Sequence, residues 1–258
     1  NMLKPSFFNR QSTAVTLLCR PGDPEEALAF ARNARDDGAD AVAFELIDYA
    51  AERRTTEDFR TIVAGSPLPT MFCCYRNDTV YGADDEARMA MLFRCAEAGA
   101  EVIDVPGDLY APADFELTED PAAIARQREA IAKAHALGAK VVMSSHVPTA
   151  ARTADEVVAH LRAQEARGAD MVKLVAPANT SEEFAESVRT LSRLNAEMKT
   201  PWVYLNSGRY GRLQRFMGPS FGCAVAFAVH EHLPGVPFDQ HPTIASLRRA
   251  MAAIAWRE

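Results

Sequence analysis

The chain has 258 residues, of which 48% are hydrophobic and 24% charged, and its formal net charge is −7. These proportions are ordinary for a soluble globular protein, and α/β barrels reach this length as one domain. An acidic chain without an extended basic patch is a poor nucleic-acid binder, and no apolar run is long enough to span a membrane. We therefore expect one domain over residues 1–258 that acts on a small-molecule partner, without nucleic acid or membrane.

The cysteines and the polar start of the chain bear on its compartment. Residues 1–10 lack the apolar core of a signal peptide. The five cysteines are odd in number and show neither a C-x-x-C pair nor a zinc-ligand spacing. We expect buried thiols in a reducing cytoplasm and no metal site.

A glycine-alanine turn recurs four times along the chain. Each glycine ends an alanine-rich amphipathic run, where the residue after a helix favours glycine in the left-handed region. A short run rich in β-branched residues follows each turn and is typical of a buried strand. Helix, glycine and strand in repeated order predict an α/β fold with a parallel sheet. The turns are Gly38-Ala39-Asp40, Gly99-Ala100-Glu101, Gly138-Ala139-Lys140 and Gly168-Ala169-Asp170.

Helix starts agree with this pattern. Two aspartates precede a proline, and two threonines stand three residues before a glutamate in a capping-box spacing. These four starts are Asp23-Pro24, Asp120-Pro121, Thr153 to Glu156 and Thr180 to Glu183.

Eight strands alternating with helices predict a closed (β/α)8 TIM barrel. No G-x-G-x-x-G follows any strand, so nothing favours an open dinucleotide-binding sheet. The sequence signal for a helix between the last two strands is weak. Strands are expected near residues 13–19, 40–47, 69–75, 101–105, 140–144, 171–175, 201–205 and 222–227, and helices near 23–36, 57–64, 84–98, 120–137, 154–167, 181–197 and 243–255.

Lys173 lies inside the apolar sixth strand, Met171 to Val175. Lysine is rarely buried without a partner, and burial favours the neutral amine that can form an imine with a ketone. The alternative is a lysine that extends from the strand end to solvent. Because catalytic groups of barrels lie at the C-terminal strand ends, we favour the nucleophile.

His146 closes the fifth strand, which neighbours the sixth in a barrel. The two strand ends therefore bring an imidazole beside the amine of Lys173. Alone, a histidine at this place is more often structural; next to a lysine it is suited to proton transfer near neutral pH. The tightest basic cluster is Arg209, Arg212 and Arg215, which fits either a solvated loop or a site for a small anion.

These motifs resemble those of the type I 3-dehydroquinate dehydratases, over nearly the whole chain. That family has a fifth strand ending in S-x-H, a sixth strand G-A-D-x-V-K, an aromatic-arginine pair after the third strand and an S-R-x-x-G-x-x-F-G-S segment before the eighth. The matching residues are Ser144 to His146, Gly168 to Lys173, Tyr75-Arg76 and Gln214 to Cys223.

The resemblance implies roles for four residues. Lys173 forms the imine with a substrate ketone, and His146 is the general acid and base. Arg76 and Arg215 are substrate ligands, for which paired guanidinium–carboxylate bonds give the physical reason. The imine is itself the electron sink, so no metal or organic cofactor is expected. The resemblance also implies a place in the shikimate pathway of aromatic amino acid biosynthesis, and we expect a homodimer.

The second strand departs from the family pattern E-x-R-x-D. Counting without a gap from the Gly38 turn puts Glu45 at the arginine position, whereas a shift by one puts Asp48 at the aspartate position. Either way the arginine is missing, and both Glu45 and Asp48 remain candidate substrate ligands.

Two further departures lie in loops. The closing loop of the family is S-x-P-G-Q, and this chain has His232 in place of the serine and Val236 in place of the glutamine. We therefore treat His232 as a candidate substrate ligand. Val147-Pro148 follows His146 where the family usually has Asp-Phe. The residues for imine chemistry are kept while several substrate contacts differ, so the substrate itself stays open.

Three hypotheses follow. The first is a carbon–oxygen lyase that removes water from 3-dehydroquinate or a related cyclic keto-polyol acid. The second is a class I aldolase type of Schiff-base enzyme on another keto substrate. The third is a sensor without catalysis, since related domains occur in fungal regulators of quinate use. Retention of both Lys173 and His146 favours an enzyme.

Overall fold

A computed structural model describes residues 6–8 and 12–254 of the chain. Most of the polar start, expected not to be a signal peptide, lies outside the described residues. Residue 255, the end of the predicted last helix, lies outside them too.

Eight parallel strands form the sheet, and a helix follows each strand in the chain. The strands are β1 Ala14–Cys19, β2 Ala41–Glu45, β3 Thr70–Cys73, β4 Val102–Pro106, β5 Lys140–His146, β6 Met171–Pro177, β7 Trp202–Ser207 and β8 Val225–Ala228. The helices are α1 Pro24–Asp36, α2 Thr56–Gly65, α3 Asp85–Glu97, α4 Pro121–Ala136, α5 Ala154–Glu165, α6 Ser181–Glu197, α7 Gly211–Met217 and α8 Ile244–Ile254.

The sheet closes on itself almost completely. Its strands pair in the order β7-β6-β5-β4-β3-β2-β1-β8. At the remaining seam Ala224, just before β8, donates a backbone hydrogen bond of 2.8 Å to Trp202 at the start of β7. The (β/α)8 TIM barrel predicted from the repeated turns is confirmed.

Local sequence determines where most helices begin and end. The four repeat glycines have φ between +90° and +99°, a region that side chains with a Cβ rarely adopt. Asp23 and Asp120 accept hydrogen bonds from the first turns of α1 and α4. Thr153 and Thr180 both form the complete reciprocal capping box. The predicted starts and stops are confirmed at these positions.

The predicted boundaries were wrong mainly around the eighth strand. The weak helix before it is the short α7, continued by the 3-10 turn Gly218–Phe221. Gly222 ends that turn with a φ of +86°, so the strand begins at Val225 rather than at residue 222. Strand β5 is longer than predicted, since it continues past residue 144 to His146. His146 pairs with Val175 of β6.

Strand alternation divides the core into two layers. Side chains one residue apart along a strand face opposite sides, so one set packs under the helices and the other fills the barrel. Lys173 and Val175 on β6 both face inward, as do Ala43 and Glu45 on β2. The five cysteines are all free and buried, as expected. None of the helices within the described residues is long and apolar enough to cross a bilayer.

Candidate active site

A cavity of about 320 Å³ opens at the C-terminal end of the barrel. Its wall combines an apolar surface with a few polar groups, the usual composition of a small-molecule site. Five different strands supply apolar contacts, through Leu18, Met71, Val142, Leu205 and Phe227.

Lys173 stands in the middle of this wall, with only 7% of its surface exposed. Its Nζ lies 3.1 Å from His146 Nε2 and donates a hydrogen bond of 3.2 Å to the hydroxyl of Tyr75. The ring of Phe227 lies 5.3 Å from the same atom. The amine therefore points into the cavity, not along the strand to outside solvent, beside an imidazole that can exchange protons with it.

The hydroxyl of Tyr75 is fixed by a buried carboxylate. It donates a hydrogen bond of 3.0 Å to Asp104, whose other oxygen accepts one of 2.6 Å from Ser144. Burial, and then the charge of Asp104, raise the pKa of Tyr75 well above its ordinary value. Tyr75 therefore remains a phenol, and its oxygen is oriented to accept a hydrogen from Lys173.

His146 is held by Glu116, which reaches it from the loop between β4 and α4. One oxygen of Glu116 accepts a hydrogen bond of 2.6 Å from the backbone N–H of His146 and lies 3.1 Å from Nδ1. Burial opposes ionisation of Glu116, but these bonds outweigh it and lower its pKa. A carboxylate at Nδ1 favours the tautomer with the proton there, which leaves the lone pair of Nε2 facing Lys173.

Arg215 supplies an unpaired positive charge at the edge of the cavity. It is 7% exposed, and its Nε and Nη1 have no hydrogen-bond partner among residues 6–8 and 12–254. Burial lowers its pKa to about 10, which leaves it charged near neutral pH. A buried cation without a partner is costly, so the site is suited to an anionic group of a ligand. Arg209 and Arg212 of the same cluster are exposed.

A model of the type I 3-dehydroquinase family matches residues 18–255 of the chain. The chain belongs to this family. A 3-dehydroquinate dehydratase of Klebsiella pneumoniae is 27% identical over 222 residues, which cover 82% of this chain and 84% of the relative. The bifunctional 3-dehydroquinate dehydratase/shikimate dehydrogenase of Arabidopsis thaliana is 26% identical over 238 residues, 90% of this chain and 36% of that protein.

Solved structures agree in fold. The 3-dehydroquinate dehydratase of Geobacillus kaustophilus superposes with a TM-score of 0.77 at 16% identity, and 95% of this chain and 91% of that chain are covered. The type I enzyme of Clostridium difficile, solved with covalent modified comenic acid, also gives a TM-score of 0.77, at 14% identity and with 95% and 93% coverage.

Glu45, at the position of the missing family arginine, has an ion-pair partner that was not predicted from the sequence. Glu45 lines the cavity, and Arg20, just after β1, pairs with both of its oxygens at 2.8 and 3.3 Å. The charge of Glu45 is therefore balanced by a cation from the adjacent strand. The available clue was strand alternation, because Arg20 follows inward-facing Leu18 by two residues.

His241 was also missed, and it lies at the cavity, from the segment before α8. It is 9% exposed, and its Nδ1 has no hydrogen-bond partner in the described part of the chain. Burial, and then the charge of Arg215, lower its pKa well below the ordinary value, so the ring is neutral near pH 7. His241 therefore presents a neutral imidazole near the free guanidinium.

Two of the predicted substrate ligands lie away from the cavity for simple reasons. After Glu45 the chain turns into a 3-10 helix, which leaves Asp48 exposed. His232 is exposed as well, and its Nε2 contacts the backbone oxygen of His241 at 2.9 Å. With Val236 it borders a separate small apolar pocket next to α1. Both residues were assigned by matching positions to the family pattern, which does not specify how the backbone turns after β2 and after β8.

Arg76 is turned away from the cavity by two carboxylates. Its Nη1 donates to both oxygens of Asp108 at 2.8 and 2.9 Å, and its Nη2 donates to Asp85 at 3.2 Å. The next residue, Asn77, borders the cavity instead. We therefore leave Arg76, Asp48 and His232 out of the proposed substrate-binding residues.

Proposed function

We propose that the protein is a Schiff-base dehydratase that removes water from 3-dehydroquinate or a closely related cyclic keto-polyol acid. The observation that carries this proposal is the short contact of Lys173 Nζ with His146 Nε2, in a cavity that also holds the unpaired Arg215. 3-Dehydroquinate, the substrate in the names of the relatives, has a ketone that Lys173 would attack and a carboxylate that Arg215 would bind.

The first chemical step is imine formation. The lone pair of Lys173 Nζ attacks the ketone carbon, and the carbonyl oxygen takes up a proton to give a carbinolamine. His146 Nε2 lies close enough to move the protons by which this hydroxyl leaves as water. Tyr75, fixed by Asp104, accepts a hydrogen bond from the nitrogen and orients it. The product is a protonated imine in an apolar surrounding.

The second step is elimination. The protonated imine draws electrons from the adjacent carbon, which releases a proton to a base, and the hydroxyl at the β-carbon leaves with a proton as water. His146 is the group placed to transfer these protons. Water then hydrolyses the imine, which frees the unsaturated ketone and restores the amine of Lys173. The scheme uses no metal or organic cofactor, because the imine itself receives the electrons.

Substrate recognition is assigned to Arg215, Arg20, Glu45 and His241. Arg215 is suited to the carboxylate, through charge-assisted hydrogen bonds from its guanidinium, which lines the cavity. Glu45 can accept from a hydroxyl while Arg20 balances its charge. His241, with one donor and one acceptor nitrogen, is suited to a further hydroxyl.

Removal of Arg215 should weaken substrate binding without destabilising the fold. Arg215→Met should raise KM by about 10- to 100-fold, the range expected for a hydrogen bond to a charged group, and change kcat less. Its free energy of unfolding should be equal or higher, because an unpaired buried charge is removed. Steady-state kinetics and denaturant unfolding measure both quantities, and the exposed Arg209→Met is the control. A wild-type KM in Arg215→Met would contradict the assignment.

A carbon-balance assay tests the proposed reaction against its alternatives. Purified protein with 3-dehydroquinate should yield an enone that retains every carbon of the substrate, detected by mass spectrometry as a loss of one water. Release of an aldehyde fragment would instead indicate an aldolase. Binding of 3-dehydroquinate without turnover, measured by calorimetry, would indicate a sensor.

We also propose a cytoplasmic location, a homodimer and a place in the shikimate pathway. Five free, buried cysteines are consistent with a reducing compartment. The pathway assignment is based on the names of the relatives, one of which joins the dehydratase to a shikimate dehydrogenase.

A further inference from the structure

The loop of residues 107–118, which leads from β4 towards α4, is closed at its base by a buried arginine. Thr118 N donates to the oxygen of Gly107 at 3.2 Å, so the two ends of the loop meet. Arg167, just after α5, donates hydrogen bonds of 2.5 Å to the same oxygen and to the oxygen of Thr118. One guanidinium thus joins both ends of the loop.

The buried guanidinium of Arg167 makes specific hydrogen bonds. Arg167 is 6% exposed, and its hydrogen-bond partners are two backbone oxygens and the amide oxygen of Gln127 at 2.9 Å. The amide nitrogen of Gln127 donates to Gly107 and Leu109. Burial, and then the charge of Arg128, lower the pKa of Arg167, and its guanidinium donates to carbonyl oxygens. An arrangement this costly needs a compensating role.

Glu116 meets His146 near the C-terminal end of the loop. Phe115 and Glu116 have φ of 60° and 50°, a left-handed conformation that costs free energy and persists only where the surroundings enforce it. The backbone oxygen of Glu116 accepts a hydrogen bond of 2.7 Å from Ser145. A Cβ on Gly107 would lie 2.5 Å from that oxygen. The loop is therefore folded tightly over the end of β5.

The same end of α5 also holds the backbone of the amine-bearing residue. Gln164 accepts a hydrogen bond of 3.0 Å from Lys173 N and donates one of 3.1 Å to Lys173 O. Its amide nitrogen also donates to Ser145 at 3.0 Å. Gln164 and Arg167 stand three residues apart, so one helix end contacts the supports of both Lys173 and His146.

We propose that Arg167 is a positioning residue for the catalytic histidine: it closes the 107–118 loop so that the carboxylate of Glu116 fixes the orientation and tautomer of His146. Gln164 does the corresponding task for the backbone of Lys173. The kinetic part of this inference rests on the proposed function, whereas the tautomer of His146 is independent of any substrate.

Kinetics of Arg167→Met and Glu116→Gln test the coupling. Each variant should lower kcat by about 10- to 100-fold, the effect of a small misplacement, while KM and the yield of borohydride-trapped imine change little. The double variant should be no slower than the worse single variant, because both changes remove one interaction. Additive losses, or a wild-type kcat in Arg167→Met, would overturn the proposal.

The control and the second variant address stability. Arg128 is exposed and donates to the backbone oxygen of Ala166 next to Arg167, so Arg128→Met should keep the wild-type kcat. If Arg167→Met does not fold, Gln127→Leu provides a second test. It removes the amide that bonds to both Arg167 and Gly107, and it should give the same kcat loss at unchanged KM. An unchanged kcat in that variant would also overturn the proposal.

A spectroscopic measurement separates this inference from the proposed reaction. Imidazole ¹⁵N shifts of His146 should show a proton fixed on Nδ1 in the wild type and a mixture of tautomers in Arg167→Met and Glu116→Gln. Arg167→Lys should restore part of the wild-type spectrum. This result would support the positioning role of Arg167 even if the protein proved inactive on every ketone tried. Identical spectra in the wild type and Arg167→Met would refute that role.

Discussion

Replacing Lys173 with alanine should reduce turnover by at least about 10⁴-fold, because the covalent intermediate supplies much of a rate enhancement that is typically about 10⁶-fold or more. Lys173→Arg keeps the charge but has no amine that forms an imine, so it should be nearly as inactive. Single-turnover and steady-state assays on the same ketone measure both variants.

The control for this result is a lysine outside the cavity. Lys140 begins β5, where it pairs with Asp170 at 2.9 Å, and Lys140→Ala should keep wild-type turnover. Circular dichroism should show that all three variants are folded. Turnover by Lys173→Ala or Lys173→Arg within tenfold of the wild type would mean that the positive charge or the cavity alone does the chemistry.

Replacing His146 with alanine should lower kcat by about 10²- to 10⁴-fold, the usual contribution of general acid–base catalysis. Imine formation should persist, because the amine of Lys173 remains, so a covalent intermediate should accumulate. Intact-protein mass spectrometry during turnover measures that accumulation. His135 lies at the end of α4 and pairs with Asp170 at 2.7 Å, so His135→Ala is a matched control that should turn over normally. Equal kcat in His146→Ala and the wild type would remove the imidazole from the mechanism.

Sequence predicted the fold because the information for it is local. Each repeat glycine is forced into the left-handed region by the turn that follows its helix, and each cap bonds within three residues of itself. Alternation of helix and strand then restricts the topology to a parallel sheet. Strand β8 was misplaced because its start depends on the turn at Gly222, whose φ the strand-like composition around it does not reveal.

The site was predictable where neighbouring strands determine it. Lys173 and His146 meet because β5 and β6 are neighbours in the barrel and pair with Ser144 opposite Lys173. Glu116 and Arg20 were missed because they reach their partners from other loops or strands, 30 and 25 residues away. No periodicity within one segment encodes such contacts, which exist only after the barrel closes.

The predicted ligands His232 and Arg76 do not line the cavity, because their positions depend on contacts outside their own sequence motifs. His232 and Val236 were placed by matching a Pro-Gly pair, but the segment continues for several residues before α8, and His241 is the residue that returns to the cavity. Arg76 was placed by its strand end, which does not reveal the two carboxylates that hold its guanidinium. A side chain after a strand end can take several directions, and its partners decide between them.

Trapping of the imine tests the central claim most directly. The protein is incubated with 3-dehydroquinate and with related cyclic and acyclic ketones, reduced with borohydride, digested and analysed by mass spectrometry. One peptide should gain the mass of the ligand less one oxygen, and fragmentation should place the adduct on Lys173; the same treatment of Lys173→Ala should give none. An adduct on Lys140 or Lys199, or no adduct with any ketone that the protein turns over, would contradict a Schiff base on Lys173.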